Sequence, residues 1–88
     1  MNYTKYFGSI TKDNGALNLP TEQFQRLMNT VHLEGIILGL NKAKNPYKGK
    51  ELFYRYDTLI FKQNMKLTEL TGNLEPKELI KEMYSFSN

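Results

Sequence analysis

Few residues in this chain could carry covalent chemistry. There is no cysteine among the 88 residues, which excludes a thiolate nucleophile, a disulfide framework and a thiolate zinc site. The single histidine, His32, excludes any metal centre that needs two imidazoles. A nucleophile needs a base within hydrogen-bond reach, and His32 lies beside an apolar helical pattern, where a half-buried or exposed histidine is the ordinary reading. Nine acids are scattered along the chain at no spacing that singles out a general acid–base pair. Gly35 and Gly39 are not followed by the lysine and hydroxyl residue of a phosphate loop. The expectation is a protein that is not an enzyme and holds no metal or cofactor.

The most suggestive segment runs from Asn45 to Tyr56. It interleaves Lys48, Lys50 and Arg55 with Tyr47, Phe53, Tyr54 and Tyr56. Cations attract phosphates and aromatic rings stack on bases, so the composition suits a nucleic-acid surface. Aromatic and arginine side chains also anchor protein interfaces. On a helix, Phe53 and Tyr56 would face inward, leaving Tyr47, Tyr54 and Arg55 exposed. The candidate partner-binding residues are therefore Tyr47, Lys48, Lys50, Tyr54 and Arg55. Lys12, Arg26, Lys42 and Lys44 are the further candidates for nucleic acid. The bland alternative is ordinary core. The net charge of +3 is unevenly spread, with a basic stretch over 42–55 and an acidic one over 69–82. A positive balance excludes a DNA mimic, which needs dense acid.

The elements that must position these residues follow from periodicity. Phe7 to Thr11 and Ala16 to Leu19 read as two short strands joined at Lys12-Asp13-Asn14-Gly15, since Asn-Gly tolerates the positive φ of a tight hairpin. Phe24, Leu27, Met28 and Val31 share one helical face, and Asn45-Pro46 ends that helix. Gly35 and Gly39 are spaced for close approach of a second helix or a second subunit. Residues 49–71 read as another long helix with Gly72 as its left-handed cap. The rival for 51–62 is a strand, because Leu52, Tyr54, Tyr56, Thr58 and Ile60 alternate. Glu75 and Pro76 open a last helix over 76–85, with Leu74 and Leu79 placed as a hydrophobic staple.

The fold class is thus mainly α in a single domain over 1–88. A short N-terminal β-hairpin is followed by a long antiparallel helix pair and a short C-terminal helix, with 85–88 frayed. The expected core is Phe24, Leu27, Met28, Val31, Leu38, Leu52, Tyr56, Leu59, Ile60, Leu67, Leu79, Ile80 and Met83. Leu59→Ala should then cost about 2–5 kcal/mol.

Residues Gly8 to Leu27, with Asn14-Gly15, Leu19-Pro20 and the helix after them, resemble the opening of the AbrB and MazE swapped-hairpin family. The resemblance implies an α+β intertwined dimer that binds DNA as a regulator or antitoxin. The chain departs from the family at Ala16, Phe24 and Gln25, which stand where arginines are usual, and 41–71 has no counterpart there.

Ten lysines against two arginines, with nine asparagines, reflect AT-rich codons. A low-GC Gram-positive bacterium, or a phage or other mobile element of one, fits that bias. No apolar run exceeds three residues, Ile36 to Leu38 among them, far short of the ~20 residues that span a bilayer, and no basic head leads an apolar stretch. A cytoplasmic location, that of the host if phage-encoded, is expected. The favoured function is stoichiometric occlusion of a host macromolecule by a monomer or homodimer, with a host protein as partner and no membrane involvement. The alternative is the DNA-binding regulator.

Overall fold

The computed structural model describes residues 2–14 and 18–85. Four α-helices follow one another: α1 (Tyr3–Asn14), α2 (Thr21–Lys44), α3 (Glu51–Thr71) and α4 (Pro76–Ser85), with a 3-10 turn (Asn45–Tyr47) between α2 and α3. There is no strand among the described residues. The expected hairpin is therefore replaced by a helix. Phe7 to Thr11 and Lys12 to Asn14 are helical, Asn18 and Leu19 have no regular structure, and Gly15 to Leu17 lie outside the described residues. The fold the swapped-hairpin resemblance implied is overturned with it. The rival strand over 51–62 is overturned too, since those residues are helical.

The reason for α1 lies in its first turn. Tyr3, Tyr6, Phe7 and Ile10 fall at i, i+3, i+4 and i+7, and all four join the core, with Tyr3 and Phe7 buried. Asn2 caps the helix, its Oδ1 accepting from Lys5 N at 2.9 Å. Tyr3 N and Thr4 N each donate to one carboxylate oxygen of Glu34 on α2, both at 2.9 Å. Tyr6 N donates to Asn2 O. The N–H groups of Tyr3, Thr4 and Lys5 thus each have a partner, two of them supplied from 31 and 30 residues away.

Helices α2 and α3 run antiparallel, cross-tied near one end by Arg26 to the Leu70 carbonyl and near the other by Lys44 to Asp57. Their contact seam follows alternating steps of three and four residues. It takes Leu27, Thr30, Glu34, Ile37, Asn41 and Lys44 from α2, and Phe53, Tyr56, Ile60, Gln63, Leu67 and Leu70 from α3. The apolar stripe expected to be core on α2 is rotated off this seam. Phe24 and Met28 are each 46% exposed and Leu38 is 54% exposed. On α3, Leu52 and Leu59 are likewise exposed. Five of the expected core residues are therefore corrected, while Leu27, Ile60, Leu79, Ile80 and Met83 are buried and Val31, Tyr56 and Leu67 are half-buried. On α2, polar residues could take the seam because Thr30, Glu34, Asn41 and Lys44 each find a partner. Thr30 Oγ1 donates to the Arg26 carbonyl, Thr71 Oγ1 to the Leu67 carbonyl and Asn41 Nδ2 to the Ile37 carbonyl.

The core proper sits at one end, where α1 and α4 close over the open end of the pair. Tyr3, Phe7, Leu27, Leu79, Ile80 and Met83 form it. Tyr3 also donates from its hydroxyl to the Leu74 carbonyl at 2.6 Å. Helix α4 starts as expected, with Leu79 N donating to the Glu75 carbonyl and Leu74 and Leu79 both in the core cluster. Its last residue, Ser85, is helical, and 86–88 lie outside the described residues. The α3 terminus also matches expectation: Gly72 is left-handed at φ 62° and its N–H donates to the Thr68 carbonyl at 2.7 Å.

Beyond Glu34 and before Leu67 the helix pair continues without α1 or α4, as an arm that gives the molecule extents of 50 × 24 × 19 Å. Gly35 and Gly39 lie on the arm, exposed, with open space where a Cβ would stand. They do not mediate close approach of the two long helices. Each costs helix stability without a packing return, so Gly39→Ala should raise the unfolding free energy by about 0.5–1 kcal/mol. Urea denaturation of the two proteins checks this.

Candidate functional site at the hairpin tip

At the far end of the arm the chain reverses through Asn45 to Lys50. Pro46 sits inside the 3-10 turn, and Gly49 takes φ 79°, the left-handed region a side chain disfavours. Lys50 is extended at φ −108° and ψ 160°, and its carbonyl accepts from Phe53 N to start α3. The turn is thereby fixed at both ends by backbone hydrogen bonds, with Lys50 N donating to the Tyr47 carbonyl at 2.9 Å.

Two side-chain clusters stiffen this tip. The Tyr47 ring stacks on Tyr56, with centroids 6.0 Å apart and an interplanar angle of 25°. Lys44 Nζ lies 2.7 Å from Asp57 Oδ1 and 5.0 Å from the centre of the Phe53 ring. Tyr47 was expected to stand exposed, but its stack on Tyr56 leaves it half-buried. Phe53 and Tyr56 are half-buried, in line with the inward placement expected of them.

Outside these clusters stand the groups that face solvent. Tyr54 is 63% exposed, Lys48 and Lys50 are exposed, and Arg55 is exposed with its guanidinium 3.0 Å from Glu51 one turn earlier. Lys42 is exposed on the last turn of α2. The five candidate partner-binding residues thus share one end of the molecule. Lys42 and Lys44 accompany them, although Lys44 is already matched by Asp57. The separation from the core is large. Lys44 lies about 15 Å along the helix from Glu34, at 1.5 Å per residue.

The other two nucleic-acid candidates are elsewhere. Lys12 is exposed on the last turn of α1. Arg26 braces the core end of the helix pair, donating to the Leu70 carbonyl and Gln23 and lying 3.4 Å from Glu82. These two do not join the tip. His32 is exposed on α2 and lines a shallow depression of about 330 Å³ with Asn29, Leu33, Lys66, Glu69 and Leu70. Among the described residues no group of three metal-ligating side chains converges, and no helix is long and apolar enough to cross a membrane.

The tip's internal clusters were not anticipated from sequence. Asp57 lies 13 residues after Lys44, and only the antiparallel pairing brings them together. Comparison with known protein families, curated proteins and solved structures gives no match to this chain.

Proposed function

We propose that the protein is a non-enzymatic binding protein that acts by stoichiometric occupation of a host macromolecule, with the hairpin tip as the contact surface. The observation that carries the reading is the tip itself: two exposed lysines on the turn, with an exposed tyrosine and an exposed arginine at the start of α3, braced from within and away from the core. Rigid placement lowers the ordering cost of binding, and Tyr and Arg are the side chains that anchor interfaces. A host protein is the favoured partner. The lysine-rich, asparagine-rich coding bias supports a phage or other mobile element of a low-GC Gram-positive host as the source, and inhibition of a host process as the outcome.

The test is a tagged pull-down from such a host, with and without nuclease, using the natural chain and the Lys48→Ala/Lys50→Ala variant. One host protein should be retained after nuclease at one-to-one stoichiometry. The variant should bind it about tenfold or more weakly with an unchanged melting temperature, since neither lysine is packed. Recovery of DNA or RNA instead, with protein lost on nuclease treatment, would overturn this reading. Affinity for nucleic acid would then fall steeply with salt, as phosphate contacts require.

A further inference from the structure

The outer face of α3 carries a second seam that nothing in the fold covers. Tyr54, Thr58, Phe61, Met65 and Thr68 follow one another in steps of four, three, four and three. At 100° per residue they fall within an arc of about 80°, well away from the face that meets α2. Phe61 is 66% exposed, Tyr54 63% and Met65 53%, and both threonines are exposed. Isolated exposed apolar residues need no explanation, but three of the largest in a heptad row with β-branched residues between them form a coiled-coil surface.

We propose that the occupant is a second copy of this chain, paired antiparallel along α3. In an antiparallel pair the two alternating core positions of one helix face each other's counterparts. Phe61 then meets Met65 of the second copy, Thr58 meets Thr68, and each contact occurs twice about a two-fold axis at the level of Gln63. The charges flanking the seam favour this register. Arg55 of each copy lies on the same flank as Glu69 of the other, offset by about 3 Å along the axis, giving two attractive pairs once Arg55 leaves its exposed ion pair with Glu51. Sliding by one heptad, so that Tyr54 faces Met65, would set Arg55 against Lys62 instead. The favoured register has one unfavourable term, because Lys62 lies near its own symmetry copy. An apolar concavity lined by Phe61, Asn64, Met65, Thr68 and Glu69 receives the partner's ring at the centre.

The size of the seam sets the strength. Side chains of this class present about 150–250 Å² each, so Phe61 and Met65 leave roughly 230 Å² uncovered per copy, with Tyr54 opposite Gly72 at the end of the partner's helix, and the whole pairing buries at most on the order of 1,000 Å². That is the low end of specific interfaces and corresponds to a reversible, concentration-dependent dimer. The pairing leaves the turn from Asn45 to Lys50 open at both ends of the dimer, so it is compatible with the tip contact proposed above. Tyr54 and Arg55 belong to both surfaces, whereas Lys48 and Lys50 report on the tip alone and Phe61 and Lys62 on the seam alone.

Sedimentation velocity of the full chain from low micromolar to millimolar concentration tests the proposal. The natural chain should pass from monomer to dimer. Phe61→Lys, which adds charge beside Lys62, should weaken the dimer by about tenfold or more with an unchanged far-ultraviolet circular dichroism spectrum. Lys62→Gln should tighten it several-fold at low salt, a gain that no folding defect can mimic. Arg55→Glu should weaken it, and Arg55→Glu with Glu69→Arg should restore it. A natural chain that stays monomeric throughout the range overturns the proposal. So does a dimer that is indifferent to Phe61→Lys, or one in which Lys62→Gln brings no gain and the double reversal no recovery.

Discussion

Leu79→Ala should lower the free energy of urea unfolding by about 2–5 kcal/mol, a large share of the total for a domain of this size. Leu79 is 0% exposed, as is Met83 beside it, and both lie where α1, α2 and α4 meet. The described residues bury only seven large hydrophobic side chains, so no reserve of core exists to absorb a cavity there. Leu59→Ala supplies the contrast. Leu59 is 45% exposed on the arm, and its truncation should cost under about 1 kcal/mol despite the same chemistry. Equal losses at the two positions would mean that the arm is covered in solution and that the core is not confined to one end.

Glu34→Ala should be the second large loss, about 2–3 kcal/mol by the same measurement. The Glu34 carboxylate accepts from two backbone donors at the start of α1, and the residue is 7% exposed. Removing it takes a charged acceptor from Tyr3 N, in a buried residue, and from Thr4 N, and removes a negative group from the positive end of the helix dipole. Glu34→Gln keeps one acceptor oxygen and presents an amide to the other donor, so it should fall between the natural chain and the alanine variant. Amide hydrogen exchange gives an independent reading, since protection at Tyr3, Thr4 and Lys5 should drop before that of α3. Unchanged exchange at these amides would show that α1 docks through its apolar face alone.

Both losses concern the part of the molecule that was hardest to foresee. Helices α2, α3 and α4 were legible because their ends carry local chemistry: Asn45-Pro46, Gly72, and Glu75-Pro76 with its staple. For α1 two local signals conflicted. Asn14-Gly15 is a strong turn signal and carried the hairpin expectation, while the Tyr3, Tyr6, Phe7, Ile10 spacing, a full helical template, did not enter it. The capping Asn2 and the distant Glu34 decide that conflict in favour of helix, and only Asn2 is a local signal. The orientation of α2 failed for a different reason. Periodicity finds the most apolar stripe, but the buried seam includes Thr30, Glu34, Asn41 and Lys44, whose partners lie elsewhere in the fold or one turn back along the helix. At the tip, composition alone singled out Tyr54, Arg55, Lys48 and Lys50. The stack of Tyr47 on Tyr56 and the pairing of Lys44 with Asp57 needed the tertiary structure.

The separation of tip from core also bears on how such a chain can change over generations. Substitutions far apart with no shared partner act additively, and most loss of fitness from mutation comes through lost stability. A tip that contributes no side chain to the apolar cluster can therefore exchange its exposed tyrosine, lysines and arginine at little thermodynamic cost. The core end answers to folding and the tip to whatever it meets, so a lineage facing a shifting target could rewrite one end while the other stays fixed.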